Sequence, residues 1–484
     1  MNKITYLMAF IAFFASSCSD EVLNEIDTNP NIIADAPLNT YLPAAQTLVV
    51  QRVVGSLVIV SGHAAEATNF TGINTATKFQ VGGAADLNVG GGNNWTSGFQ
   101  ALRYFKEIRN KAEQQNRIGY AAIADIMTAY TLSLLVDTYG DIPYTEVGQE
   151  SIIQPKFDKA QDLYTEMHKL LDAGIQKCDQ ATTTTSKPGN DDLVFKGNMT
   201  LWKKTANALK ARLYNRLSNT NGTQTAQQAL TALGNSFGAN ENFNFTDFQD
   251  TPQNGNQIAQ VGITQGTIAI NGGIVAALKS YLEPNEDILT DPRASIWFTK
   301  IGGKVVTTPT SRGTTDVTLN GTTYSKPLYY QKRTAPLPMI TYTELKFIEA
   351  EAQLRLGDPI KAYAAYDVAI RSALAQAAIF NPAVALNTTQ INSYMARPKV
   401  SMGADKLTLK DIITQKYIYL TVSQTQEAYN DARRTALITL EDPDGTAKRF
   451  PYPVNEISRN ANAPKASDLN TVYQENARLF WAKL

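Results

Sequence analysis

Residues 342–377 read YTELKFIEAEAQLRLGDPIKAYAAYDVAIRSALAQA, and two helices joined by a two-residue link are legible in them. Leu345, Ile348, Ala352 and Leu356 recur at the spacing of one helix face. Gly357 supplies a left-handed stop. Asp358 is predicted to cap the second helix and Pro359 to open it, where a missing N–H costs nothing. Ile360, Tyr363, Asp367, Ile370 and Leu374 are predicted to continue the stripe, with one polar exception. So short a link forces the helices antiparallel, and Ala350, Ala352, Ala362, Ala364 and Ala365 permit close approach. A tetratricopeptide-type unit is built this way, although no clean repeat period runs through the chain.

The same periodicity recurs on either side. Ile123, Ile126, Met127, Tyr130 and Leu134 predict an amphipathic helix over 120–139, stopped by Gly140 and kept from resuming by Pro143. Asp158 with Gln161 reads as a capping box, followed by a buried face of Tyr164, Met167 and Leu171. Trp202, Ala206, Leu209, Leu213 and Leu217 form one stripe from about Thr200. Thr408 to Asp411 starts another helix through Ile412, Lys416 and Leu420. Residues 60–98, rich in Gly, Ala, Asn and Thr, and the polar stretches 181–192 and 219–272 read as loops. Residues 300–335 read as a β-hairpin around Asn320-Gly321. The expected fold is mostly α: a tetratricopeptide-like helical scaffold with long loop-rich insertions and a small β-hairpin region. Loops of this length tend to be functional.

The N-terminus carries an address. Lys3 gives a basic start, residues 4–15 are uncharged and apolar, and Ala15-Ser16-Ser17 places small residues directly before Cys18. That is the layout of a secretory signal peptide over 1–17. The apolar run is shorter than the about 20 residues a membrane helix needs. Cys18 in this position resembles the lipidated cysteine of a bacterial lipobox. Residues 18–39 are polar and broken and read as a flexible tether; its ~20 residues reach about 70 Å when extended. Residues 40–484 then form a single domain. No other stretch reads as apolar enough to cross a membrane, so attachment is expected through the lipid alone.

Composition excludes several classes of function. The 44 basic and 44 acidic residues cancel, which leaves no electrostatic footprint for nucleic acid. With two histidines and two cysteines, one of them Cys18, a zinc site has too few ligands. His63-Ala-Ala-Glu66 is not a two-histidine protease motif, and His168 reads as an exposed helix residue. No Gly-x-Ser-x-Gly elbow is present, and Gly90-Gly91-Gly92 runs into Asn93-Asn94 rather than a phosphate loop. Glu441 to Gly445 reads as a turn rather than a calcium loop. Asp137, Asp141 and Glu146 cluster after a helix, where acids also suit helix-end turns, so a surface hydrolase of glycans or peptides stays as the alternative to a binding protein. Neither a metal nor a cofactor is expected.

Aromatic and amide side chains on loops are the candidate binding residues. Asn94 and Trp95 end the glycine-rich stretch, Phe99 follows one turn later, Trp297 follows Asp291-Pro292-Arg293, and Tyr324 stands in the hairpin region. Flat rings stack on sugars or peptide side chains, and amides bond hydroxyls or backbone groups. The same rings would also serve as core, with Trp95 and Phe99 stapling a helix start.

Taken in order, the motifs resemble the SusD/RagB family of nutrient-binding outer-membrane lipoproteins of Bacteroidetes, in its SusD-like branch. They are Asp137-Thr-Tyr-Gly-Asp-Ile-Pro-Tyr144, Pro155 to Asp158 with Leu163-Tyr164, Leu201-Trp202 through Arg212, Asp291-Pro-Arg293, and Thr341 to Ala352. Gln415-Lys416, Glu427-Ala-Tyr429, Arg433-Arg434-Thr435 and Arg449-Phe-Pro-Tyr-Pro453 complete the set. The chain departs from the family at Leu479-Phe480-Trp481-Ala482, where paired tryptophans and an aspartate are usual. The resemblance implies a helical scaffold without catalysis, an oligosaccharide or oligopeptide ligand, and a SusC-like TonB-dependent barrel as partner, covered by this protein as a lid. It also implies ligand near Trp95, and fold-holding roles for Tyr139, Asp141 and Arg212.

Overall fold

Helices laid down in chain order make up the scaffold. The computed structural model describes residues 36–70, 94–149, 151–265, 268–308, 324–422, 424–440, 446–464, 472 and 475–483. Helix α1 spans Leu38–Ala64 and contains a π-helical stretch at Val49–Val54. Then come α2 (Asn94–Gln114), α3 (Ile118–Tyr139), α4 (Ala160–Gln180), α5 (Met199–Arg216) and α6 (Gly222–Leu233). The shorter α7 (Gln257–Gln265), α8 (Gly272–Lys279) and α9 (Pro292–Trp297) follow. The hairpin is α10 (Tyr342–Arg355) and α11 (Pro359–Ala375), and the chain continues through α12 (Thr388–Met395), α13 (Leu409–Leu420), α14 (Thr425–Thr435) and α15 (Val454–Arg459). Strand β1 (Thr68–Phe70) pairs antiparallel with β3 (Ile268–Ile270), and β2 (Asn242–Phe245) with β4 (Leu337–Thr341). Helix pairs α2/α3, α3/α4, α5/α6 and α10/α11 pack against each other.

The hairpin forms where its signals stand. Thr341 Oγ1 accepts from the Glu344 N–H at 3.2 Å, Gly357 has φ +80°, and Asp358 Oδ1 accepts from the Lys361 N–H at 3.0 Å. The predicted stripe of α11 needs correction. Ile360 is 75 % exposed, Tyr363 and Asp367 are half-buried and Ala364 is exposed. The buried face is Ala362, Ala365, Tyr366, Ala369, Ile370, Ala373 and Leu374. Small residues let α10 and α11 approach closely; of the predicted stripe Ile370 and Leu374 lie on that face, while Ile360, Tyr363 and Asp367 sit beside it.

Helix α3 is not amphipathic. Every residue from Gly119 to Tyr139 is buried, which makes it the central helix. Its hydroxyls bond their own helix: Thr128 to Ala124 O, Thr131 to Met127 O and Thr138 to Leu134 O. By length and composition α1 and α3 would both pass as membrane spans, contrary to the sequence expectation. Both are largely covered by other parts of the chain, so they are core helices.

Other expectations shift. Asp158 does not cap α4, which begins two residues later at Ala160. Instead Asp141 Oδ1 accepts from the Ala160 N–H at 2.8 Å, and Asp158 ties down the N–H groups of Tyr144 and Thr145. Stretch 219–272 carries α6, β2, α7 and β3, and 60–98 opens with the end of α1 and β1. Ala36 and Leu38 are buried, and Leu38 already starts α1 inside the expected tether. His168 is not an exposed histidine. Its ring stacks on Tyr214 at 4.3 Å, and burial lowers its pKa to about 4. Cys18, the Asn320-Gly321 turn and the Glu441 to Gly445 turn lie outside the described residues; Ser325 N–H bonds Val306 O across the base of that expected hairpin at 2.8 Å.

Balanced charge joins the helices at the centre. Asp137 of α3, Arg212 and Arg216 of α5, Glu344 and Glu351 of α10, Lys416 of α13, and Glu427, Asp431, Arg433 and Arg434 of α14 are all buried. Arg212 grips Glu344 with two bonds of 2.7 and 2.6 Å. Arg216 reaches both Asp137 and Glu427, and Tyr164 O–H donates to Asp137 at 2.5 Å. Buried charge is tolerated only when paired and hydrogen-bonded, and here the acids and bases balance. Trp481 is fully buried, with the guanidinium carbons of Arg433 and Arg216 at 5.0 and 5.2 Å from its ring. The unusual C-terminal segment thus seals the network with one tryptophan.

Candidate functional site

An aromatic wall stands where α2 begins. Trp95 is 6 % exposed, with Phe99 at 4.9 Å, Tyr139 edge-on at 4.9 Å and Tyr452 at 5.9 Å between ring centroids. Asn94 Oδ1 accepts the Tyr139 O–H at 2.6 Å, so the amide positions the wall. Gly98 leaves room for Leu135, whose carbons would lie 2.9 Å from an added Cβ.

Two cavities flank this wall. The first, about 450 Å³, lies between α2 and the 144–148 segment. Phe99, Leu102, Tyr144 and Val147 give it an apolar lining, and Arg103, Lys106, Glu107 and Arg109 give it charge. The motif ending in Tyr144 builds one side: Gly140 turns the chain at φ +88°, Ile142 pairs with Asp158, and the Asp158 carboxylate holds Tyr144 and Thr145. Burial raises the Tyr144 phenol to about 12, so it stays protonated and can donate. The second cavity, about 500 Å³, lies against Tyr139 and Tyr452 near the C-terminal segment.

The four sequence candidates are not gathered at one place. Asn94 and Trp95 stand together in the wall. Trp297 is 2 % exposed and its indole N–H donates to Ala377 O at 2.8 Å, so as placed it offers neither an open face nor a spare donor. Tyr324 is half-buried beside Ser325. Sequence reasoning missed Tyr144 and Arg449 as cavity residues. Phe99, four residues after Trp95 and one residue off the fully buried face, was the signal that pointed to the first cavity.

Among the described residues no group of His, Cys, Asp and Glu is arranged to hold a metal ion. Cys178 is buried, and burial pushes its thiol up to about 12. Asp141 is spent on Lys159 and the Ala160 N–H.

The site is thus an aromatic wall on a helical scaffold, with a cavity on either side. The chain belongs to the SusD-like family, whose model, described as "Starch-binding associating with outer membrane", matches residues 59–454. A SusD/RagB family protein from Bacteroides thetaiotaomicron is similar over 92 % of this chain and 99 % of its own, at 21 % identity and TM-score 0.77. A chitin-binding SusD homolog from Flavobacterium johnsoniae covers 92 % of this chain and 98 % of its own, at 17 % identity and TM-score 0.69. A further chitin-binding protein matches at 20 % identity and TM-score 0.69, over 92 % of this chain and 99 % of that one. No match was found among curated proteins.

Proposed function

We propose that this protein captures oligosaccharides outside the cell and passes them, chemically unchanged, to a SusC-like TonB-dependent barrel that it covers as a lid. A lipid on Cys18 holds it at the outer face of the outer membrane, and residues 18–39 give the lid its reach. The family match over 59–454, with starch binding and outer-membrane association in its description, carries this reading. Two similar folds that bind chitin favour a saccharide over a peptide.

The proposed site is the first cavity. Phe99 and Tyr144 supply ring faces, and Asn94 and Trp95 set the wall behind them. Tyr324 is a further proposed contact, and Trp297 would join only after a rearrangement that frees its face. Phe99→Ala is expected to weaken binding of maltohexaose or chitohexaose by roughly 1–3 kcal/mol, the range of an interface anchor, and to cost less stability than Trp95→Ala because Phe99 is only half-buried. Unchanged affinity for both sugars would move the site elsewhere.

The partner has its own test. Mild detergent extraction of native membranes is expected to recover the protein with a large barrel through a contact of more than about 2,000 Å². In a strain lacking that barrel, Cys18→Ala is expected to release the protein from membranes. Recovery only as a free monomer, or turnover of either sugar by purified protein, would overturn the lid reading.

A further inference from the structure

The second cavity contains an arginine with unused donors. Arg449 is 8 % exposed, yet no carboxylate pairs with it among the described residues. Arg212, Arg216, Arg293 and Arg434, also buried, each meet an acid, and Arg433, which like Arg449 has no carboxylate partner among the described residues, spends both Nη groups on Lys448 O, Asp137 O and Asn430 Oδ1. Nη1 of Arg449 donates to Phe450 O at 3.0 Å, and its guanidinium lies 4.6 Å over the Tyr452 ring. Its Nε and Nη2 have no acceptor among the described residues, and Arg449 lines the cavity. The segment is fixed from both sides: Phe450 N–H bonds Thr138 O at 2.8 Å and Tyr452 O–H bonds Asp141 O at 2.7 Å. Burial holds the Arg449 pKa below the usual arginine value, against the opposing pull of Tyr452 and Asp141.

We infer that this cavity is a second binding site, selective for the carboxylate of an acidic sugar. The free Nε and Nη2 edge matches a carboxylate side-on. Phe480, partly exposed on the cavity wall, offers a flat face for the sugar ring, and the Gln161 and Asn476 amides stand where hydroxyls need partners. About 500 Å³ falls within the range of ligand pockets. Of the two acids on the wall, Asp141 is paired with Lys159 at 2.8 Å while its charge also reaches Arg449, and Asp162 is exposed. The choice of a sugar over a peptide rests on the function proposed above; the carboxylate preference rests on Arg449.

Trigalacturonate and its methyl ester, titrated calorimetrically into the full-length protein, test the inference. The acid is expected to bind at least about tenfold more tightly than the ester, as a charge-assisted pair requires, and to weaken with added salt. Arg449→Gln is expected to abolish the difference, with maltohexaose binding unchanged. Phe480→Ala is expected to weaken acid and ester alike. Equal binding of acid and ester by the native protein would overturn the site even if Arg449→Gln did not fold. So would full acid affinity in a folded Arg449→Gln variant. Displacement of trigalacturonate by equimolar triaspartate would overturn the sugar assignment. Loss of maltohexaose binding alone, with the acid–ester difference intact, would count against the first site and leave this one standing.

Discussion

Replacing Arg434 by methionine is expected to lower the unfolding free energy by about 3–5 kcal/mol, the range for removing one partner from a buried ion pair. Arg434 is fully buried and bonds both oxygens of Glu351, at 2.5 and 2.7 Å, as well as Asp431 and Ser218. Methionine keeps much of the volume, so the loss reports charge rather than a cavity. It leaves Glu351 with Arg355 and Asn215, and Asp431 with Lys416. Removing both ends, Arg434→Met with Glu351→Met, is expected to recover part of the loss, because an apolar pair of similar volume is often no worse than a buried ion pair. Urea unfolding of the two single variants and the double variant closes the cycle. A loss below about 1 kcal/mol in Arg434→Met would mean that water reaches Glu351 and the network is not sealed.

The same pair sets an acid limit. Arg434 holds the Glu351 carboxyl down from 4.5 to about 2 against the opposing effect of burial. A carboxyl with a depressed folded pKa stabilises fully above its unfolded value, and that stability is lost as pH falls toward the folded one. For Glu351 the window is about pH 4.5 to 2, and the contribution is on the order of 3 kcal/mol. Glu427 and Asp431 are also held below their ordinary values and act in the same direction. Asp137, raised by burial, acts in the opposite sense. Unfolding free energy measured at pH 6 and pH 3 is expected to fall steeply in the native protein and more shallowly in Glu351→Gln. Parallel slopes would remove Glu351 as the cause.

What could be read from sequence follows from how local each signal is. The turn at Gly357-Asp358-Pro359 is encoded within a few residues, and the structure places its caps as expected. The α11 face was misjudged because alanines that touch α10 carry little weight in an apolar pattern, whereas Ile360 carries much and is exposed. Asp158 shows the other limit. Its capping-box spacing is genuine, but Asp141, nineteen residues before Ala160, takes the N–H instead, and no local pattern encodes that exchange. The candidate site was half legible for the same reason. Asn94, Trp95 and Phe99 are neighbours in sequence. Tyr139, Tyr144, Arg449 and Tyr452 reach the cavities only through the packing of α3 and the C-terminal segment.

Trp95→Ala is expected to destabilise the protein by about 3–5 kcal/mol, the cost of emptying a buried aromatic position. The indole is enclosed by Phe99, Tyr139 and Tyr452, and its removal opens the wall between the two cavities. The two edge-to-face pairs, with Tyr139 and Tyr452, and the tilted contact with Phe99 add to area burial, so their loss places the variant toward the upper end of that range. Trp95→Phe is expected to recover much of the stability, since it keeps a ring among its neighbours. Binding then separates the wall from the site. If ligand lies in the first cavity against Phe99, Trp95→Phe keeps its affinity for maltohexaose while Phe99→Ala loses it. If the indole itself meets the sugar, Trp95→Phe loses affinity at nearly native stability. Thermal unfolding and calorimetric titration of the three variants decide between these outcomes, and an unaltered melting temperature in Trp95→Ala would show that the three rings do not enclose the indole in solution.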